Sequence, residues 1–118
     1  MKLTKNNSKS YLWGENCKGW HLLNTPSLSV IQEIMPPCTK EVLHKHNKAQ
    51  QLFYVLKGTA TFEIDATEVR VSENESIHIK KGKTHKILNK TNADLEFLVI
   101  SEPHAHGDRV TDVIQNEV

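Results

Sequence analysis

Two histidines stand two residues apart, His44 and His46, in the stretch HKHNKAQQ, and a third, His85, follows Gly82 across Lys83 and Thr84. On a strand, side chains two apart face the same way and lie roughly 6.5–7 Å from each other along it. Two imidazoles so placed can lean toward one metal ion, each at about 2.1 Å. A pairing this short also arises by chance, and the chain carries a second one at His104 and His106. A metal held by histidines is usually joined by a carboxylate. Between Leu43 and Leu56 there is no Asp or Glu, and Gln50 and Gln51 occupy that stretch.

Positioning such residues falls to strands. From Leu28 onward the segments LSVIQEIM, QQLFYVLK, TATFEID, EVRVS, SIHIK, HKILN and LEFLVIS alternate with period two, the pattern of half-buried strands. Turn residues separate them: Pro36-Pro37, Lys57-Gly58, Asp65-Ala66, Ser72 to Glu75, Lys81-Gly82-Lys83 and Thr91 to Asp94. No segment carries a helical stripe of ten or more residues, so the fold class is all-β, a sandwich or barrel. Residues 1–27 are less regular; Trp13, Trp20 and the run HLLN predict an N-terminal arm that packs on the barrel or on a neighbouring subunit. Residues 28–118 form the one remaining domain, and 118 residues suit a single core.

The spacings around the histidines resemble the two signature motifs of the cupin superfamily. The first reads G, five residues, HxH, three or four residues, E, six residues, G. The second reads G, five residues, PxG, two residues, H, three residues, N. His44 and His46 fall on the paired histidines, Gly58 on the closing glycine, and Gly82, His85 and Asn89 on the second motif. Cys38 and Asn74 stand where each motif opens with glycine, and Lys80 where the proline would be. These are turn or strand-end positions, and Asn tolerates positive φ. Gln51 stands where the glutamate ligand would be.

The resemblance, from Leu28 to Ser101, implies a cupin jelly-roll barrel (a double-stranded β-helix). It also implies one divalent transition metal (Zn, Ni, Mn or Fe) on His44, His46, Gln51 and His85. A neutral fourth ligand leaves the ion its full +2 charge, which favours Lewis-acid work on a bound oxygen over support of a higher oxidation state. Two cupin groups are similar in their ligands: the mannose-6-phosphate isomerase-like set, and bacterial cupins that convert unsaturated uronates to open-chain keto sugars. The function expected is that of a metal-binding cupin, a Lewis-acid enzyme of isomerase or lyase type on a small sugar-like or keto acid substrate. The alternative is a non-catalytic barrel that binds or senses a small ligand. Single-domain cupins usually pair their sheets, so a homodimer is expected.

The strand parities fill in the pocket. Phe53 and Val55 share the inward face of Gln51, and Ile87 shares that of His85, which predicts an apolar lining; Tyr54 and Gln50 then face out. Gln50 is the rival ligand if the loop is one residue shorter. Gln32 and Met35 differ in parity, so at most one of them points in. Acid–base groups are few, and no catalytic residue is assigned. The segment EPHAHGDR, just past the last strand, offers Glu102, His104, His106, Asp108 and Arg109. As a loop over the barrel mouth it can bring His104, His106 or Arg109 to a ligand carboxylate or phosphate. His21 and His78 fit structural or surface roles. Fifteen basic and 14 acidic residues leave a net charge of +1, giving no electrostatic case for nucleic acid or a membrane surface. Cys17 and Cys38 form no CxxC pair and predict two free, buried thiols. The N-terminus has no apolar run resembling a signal peptide. A cytoplasmic protein is expected.

Overall fold

The computed structural model describes residues 1–105 and 107–111. Every regular element among them is a strand: β1 (Lys9–Trp13), β2 (Cys17–Asn24), β3 (Ser29–Met35), β4 (Thr39–Lys40), β5 (Lys45–His46), β6 (Gln50–Lys57), β7 (Ala60–Ile64), β8 (Thr67–Val71), β9 (Ser76–Ile79), β10 (His85–Asn89), β11 (Leu95–Glu102) and β12 (Arg109–Val110). None of the described residues forms a helix long and apolar enough to cross a membrane. The seven predicted segments each become a strand, displaced by at most a residue or so at either end.

The strands form a six-stranded sheet in the order β1-β2-β3-β11-β6-β9, a four-stranded sheet β4-β10-β7-β8, and a two-stranded pair β12-β5. All pairings are antiparallel. Alternate residues point between the sheets and close one core around Phe53, Phe62 and Phe97, with ring centroids 5.0 Å and 5.9 Å from Phe53. Of the pair left open by parity, Met35 is the inward residue and is fully buried, while Gln32 lies outside and donates to Glu96 at 2.6 Å.

Residues 1–27 are more regular than their sequence implies. They fold into the β1–β2 hairpin, which pairs with β3 and widens the larger sheet by two strands. Trp13 faces the interior, whereas Trp20 lies on the outer face with the Lys5 and Lys18 ammonium groups 5.5 Å and 5.4 Å from its ring centroid. Cys17 is buried as expected; Cys38 is exposed, which corrects the expectation of two buried thiols, because it sits on the tight turn before β4.

The motif glycines and their substitutes keep one backbone role. Cys38 has φ 61° and Asn74 φ 63°, beside Gly58 at 88° and Gly82 at 80°. At Gly58 a Cβ would also stand 2.8 Å from the Asp94 carbonyl oxygen, so no other residue fits. Asn89 is a staple: its amide donates to the Met35 and Ala93 carbonyls at 2.9 Å and 2.8 Å, and its oxygen accepts from Thr91 N–H at 3.0 Å. Left-handed backbone strains any residue with a Cβ. Ala66, at φ 67° in the β7–β8 turn, shares that strain with Cys38. Cys38→Gly and Ala66→Gly are therefore each expected to stabilise the protein by about 0.5–1 kcal/mol, the relief of strain exceeding the entropy that glycine adds to the unfolded chain. The readout is a higher denaturant midpoint at unchanged slope.

Candidate metal centre and its cavity

His44 and His85 are held opposite each other by the backbone. His44 N–H donates to the His85 carbonyl at 3.0 Å and His85 N–H to that of His44 at 2.8 Å. Residues that exchange both bonds project side chains to the same face, and the two rings lie 4.4 Å apart by centroid. His46, two residues on, joins them at 5.0 Å from His44 and 5.8 Å from His85. One ring nitrogen from each of the three lies within 4.8 Å of the other two.

The ring tautomers follow from the outer contacts. His44 Nδ1 and His85 Nδ1 each donate to a carbonyl at 2.8 Å, of Val42 and Lys83 respectively. That fixes the proton on Nδ1 and leaves Nε2 bare, the arrangement second-neighbour bonds give metal-ligating histidines. Burial holds the three rings in the neutral form. It pulls His44 down to about 3, His46 to about 4, and His85 below the usual imidazole range, the nearby His85 lowering the first two further. Gln51 is buried, and its amide N–H donates to Ser101 Oγ at 3.0 Å.

Three buried polar atoms of this group lack a hydrogen-bond partner: His46 Nδ1, Gln51 Oε1 and His85 Nε2. Unmet burial of this kind costs about 1–3 kcal/mol per atom. Neutral nitrogens converging from three sides, beside an amide oxygen in the same cavity, fit a divalent cation in chemistry and in number.

His44, His46 and Gln51 line a cavity of about 250 Å³ between the sheets, with His85 packed behind the first two. Phe53 lines it, as its parity predicts. Val55 and Ile87 do not; both pack in the core, 0% and 1% exposed, because the phenyl groups of Phe62 and Phe97 fill the space at their level. Gln50 and Tyr54 face out, Gln50 meeting Glu102 at 2.7 Å and His78 at 2.9 Å.

The segment after β11 divides its residues between cavity and surface. Asp108 accepts hydrogen bonds from the N–H groups of Asn47, Lys48 and Ala49 at 3.2, 2.9 and 2.9 Å, and Arg109 pairs with His46 across β12 and β5. This latch brings Arg109 to the cavity wall, where its guanidinium lies 3.4 Å from both the Val42 carbonyl and His44 Nδ1. Glu102 is exposed and His104 half-buried, its backbone N–H on the Pro26 carbonyl at 3.2 Å; neither lines the cavity. His106 lies outside the described residues.

Three ionisable cavity residues have no counterpart in the sequence expectations: Tyr11, Glu33 and Glu41. Burial raises the Glu33 carboxyl to about 7 and that of Glu41 to about 8; the neighbouring Glu33 adds to the shift of Glu41, and Arg109 opposes both. Tyr11 Oη donates to Glu33 at 3.1 Å. A signal for Glu33 was present, since it alternates in phase with inward-facing Ile31 and Met35.

An antiparallel jelly roll with a histidine cluster at one mouth defines a class, and comparison with known proteins supplies the family. The chain belongs to the cupin family, whose cupin domain matches residues 30–101. It is 32% identical over 81 residues to an uncharacterized protein of Methanocaldococcus jannaschii, covering 68% of this chain and 65% of that one. It is also 32% identical over 66 residues to an oxalate-binding protein of Thermotoga maritima, covering 56% of this chain and 54% of the relative. The chain thus spans less than two thirds of the length of either relative. Among solved structures, KdgF from Halomonas sp. superposes with a TM-score of 0.80 at 14% identity, over 88% of this chain and 94% of that one. That likeness is one of fold.

Proposed function

We propose that this cupin is a metal-dependent enzyme of isomerase or lyase type, acting on a small sugar-like or keto acid substrate, with the metal held by His44, His46, His85 and Gln51. The observation that carries the reading is the convergence of three neutral imidazoles, and it is supported by an unpartnered amide oxygen, that of Gln51, on a residue lining the same cavity as His44 and His46. A divalent ion bound there supplies a Lewis acid for a substrate oxygen. The other cavity groups are the chain's own. Arg109 offers a planar, permanently charged donor for a substrate carboxylate. Phe53 and Ile31 keep the wall apolar and limit water. Glu33, Glu41 and Tyr11 are ionisable groups within one small cavity, which answers the shortage of acid–base candidates in the sequence and favours turnover over simple retention.

A second reading, a non-catalytic binder of a small carboxylate, is favoured by one observation, the relationship to an oxalate-binding protein. A homodimer is part of the proposal; the half-exposed Leu52, Leu98 and Ile100 on the outer face of the larger sheet support self-association, which light scattering would measure. The deciding experiment is elemental analysis of protein produced in metal-rich medium, followed by incubation with uronates, sugar phosphates and 2-keto acids under NMR. Protein without stoichiometric metal defeats the enzyme reading. Binding of a carboxylate with no chemical change across the panel favours the second.

A further inference from the structure

Next to the histidine cluster, the cavity has a polar side built by three strands in register. Tyr11 on β1 pairs with Gly19 on β2, and Gly19 with Glu33 on β3. Gly19 is the gap in that row. A Cβ there would collide with the Tyr11 ring, so the bare glycine lets the ring lie across β2 and set its hydroxyl on Glu33. One turn of the hairpin away, Trp13 lines the same cavity, and its buried indole N–H has no acceptor in the protein. Glu41 joins the group beside His44, its Oε1 3.9 Å from His44 Nδ1 and accepting from Ile87 N–H at 3.1 Å, which leaves its second oxygen for a ligand.

These groups ask for a particular partner. Two carboxyls present acceptor oxygens, Trp13 presents an unused donor, and Tyr11 a phenol oxygen able to accept once its own proton is committed to Glu33. A hydroxyl donates and accepts at one atom, so a row of hydroxyls satisfies all of them, and an indole face suits the C–H side of such a chain. A plain carboxylate ligand has no proton to donate to the acceptor oxygens. Along β3, Ser29 shares a row with Ser101 and Gln51, while Glu33 stands four residues further. That is roughly 13 Å of strand, so even with side chains reaching inward a ligand touching both ends must be longer than oxalate or pyruvate.

We propose that Tyr11, Trp13, Glu33 and Glu41 form a subsite for the hydroxyl groups of a polyhydroxylated acid, whose carboxylate or carbonyl end lies at Arg109 and the histidine cluster. This rests on the metal-site reading above and names its substrate class as sugar acids. Tyr11 and Trp13 lie outside the segment matched by the cupin domain, so the specificity belongs to this chain's own N-terminal hairpin.

The test is calorimetric binding of D-galacturonate and of pyruvate to nickel-loaded protein, for the wild type, Glu33→Gln and Tyr11→Phe. Galacturonate is expected to bind the wild type about tenfold or more tightly than pyruvate, the difference one unmet buried polar group makes. Both variants should lose most of that preference and leave pyruvate affinity within about twofold. Gly19→Ala, which displaces the Tyr11 ring, should act like Tyr11→Phe. No preference in the wild type, or equal losses for both ligands in Glu33→Gln, overturns the subsite. Nickel binding is measured separately in every variant: its absence in the wild type defeats the metal site, whereas its retention without sugar preference defeats the subsite alone.

Discussion

Replacing His85 with alanine is expected to abolish stoichiometric metal binding and the thermal stabilisation that metal confers. His85 is 1% exposed, and its backbone pairs with His44, so the strand geometry survives loss of the ring while one of three converging nitrogens disappears. In the wild type, zinc or nickel at a thousand times its dissociation constant adds about 4 kcal/mol, on the order of 15 °C in midpoint for a domain of this size. His85→Ala should show almost none of this, with its metal-free midpoint close to that of the wild type, because removing one of three crowded neutral imidazoles relieves unmet burial as it opens a small void. Elemental analysis and thermal melts with and without metal measure both effects. Gln51→Glu probes charge. A carboxylate in place of the Gln51 amide should tighten metal binding and lower Lewis-acid turnover, since the ion's formal charge falls from +2 to +1. Activity unchanged by Gln51→Glu would show that ligand charge does not set the chemistry.

The parts of the molecule legible in the sequence are those where one residue pattern has one meaning. Strands such as β3, β6, β10 and β11 alternate cleanly because each has one face against the phenylalanine core, while β8 is legible despite burying only Val71, and the motif spacings single out His44, His46 and His85. The β1–β2 hairpin was not legible, because Tyr11, Trp13, Cys17, Gly19 and His21 on one face form no apolar stripe: Tyr11 and Trp13 line a polar cavity, Cys17 enters the core, and Gly19 leaves room for the Tyr11 ring. Glu33 failed for the related reason that an acid on a strand is ordinarily its solvent side. Val55 and Ile87 have the right parity but the wrong depth, and parity says nothing of how far along a strand the cavity extends. Arg109 depends on the Asp108 latch to a loop some 60 residues earlier, a contact between two irregular segments that no period encodes.

The buried ionisable groups also set how the metal-free protein responds to pH, and two opposing effects leave a maximum. His44 and His46, held near 3 and 4 in the fold, return to about 6.5 when unfolded. Below that value the unfolded chain takes up protons that the folded chain refuses, so the stability present above pH 6.5 is lost as pH falls toward the folded values. At pH 5 the loss is about 2 kcal/mol for each ring, and His85 acts in the same direction. Glu33 and Glu41 act oppositely. Their folded values, about 7 and about 8, exceed the unfolded value of about 4.3, so the fold holds protons that the open chain releases. Their contribution is complete below the unfolded value and is lost as pH rises through 7 and 8. Between about pH 4.3 and 6.5 the two effects oppose each other and above that range only the carboxyls act, so stability of the chelator-treated protein should form a broad maximum around pH 5–6, with its larger fall on the alkaline side. Urea midpoints from pH 4 to pH 9 in the presence of a chelator measure the curve. Glu33→Gln should weaken the alkaline fall and, by removing a group that opposes the histidines, steepen the rise toward pH 6; an acid side left unchanged would show that Glu33 does not carry this shift.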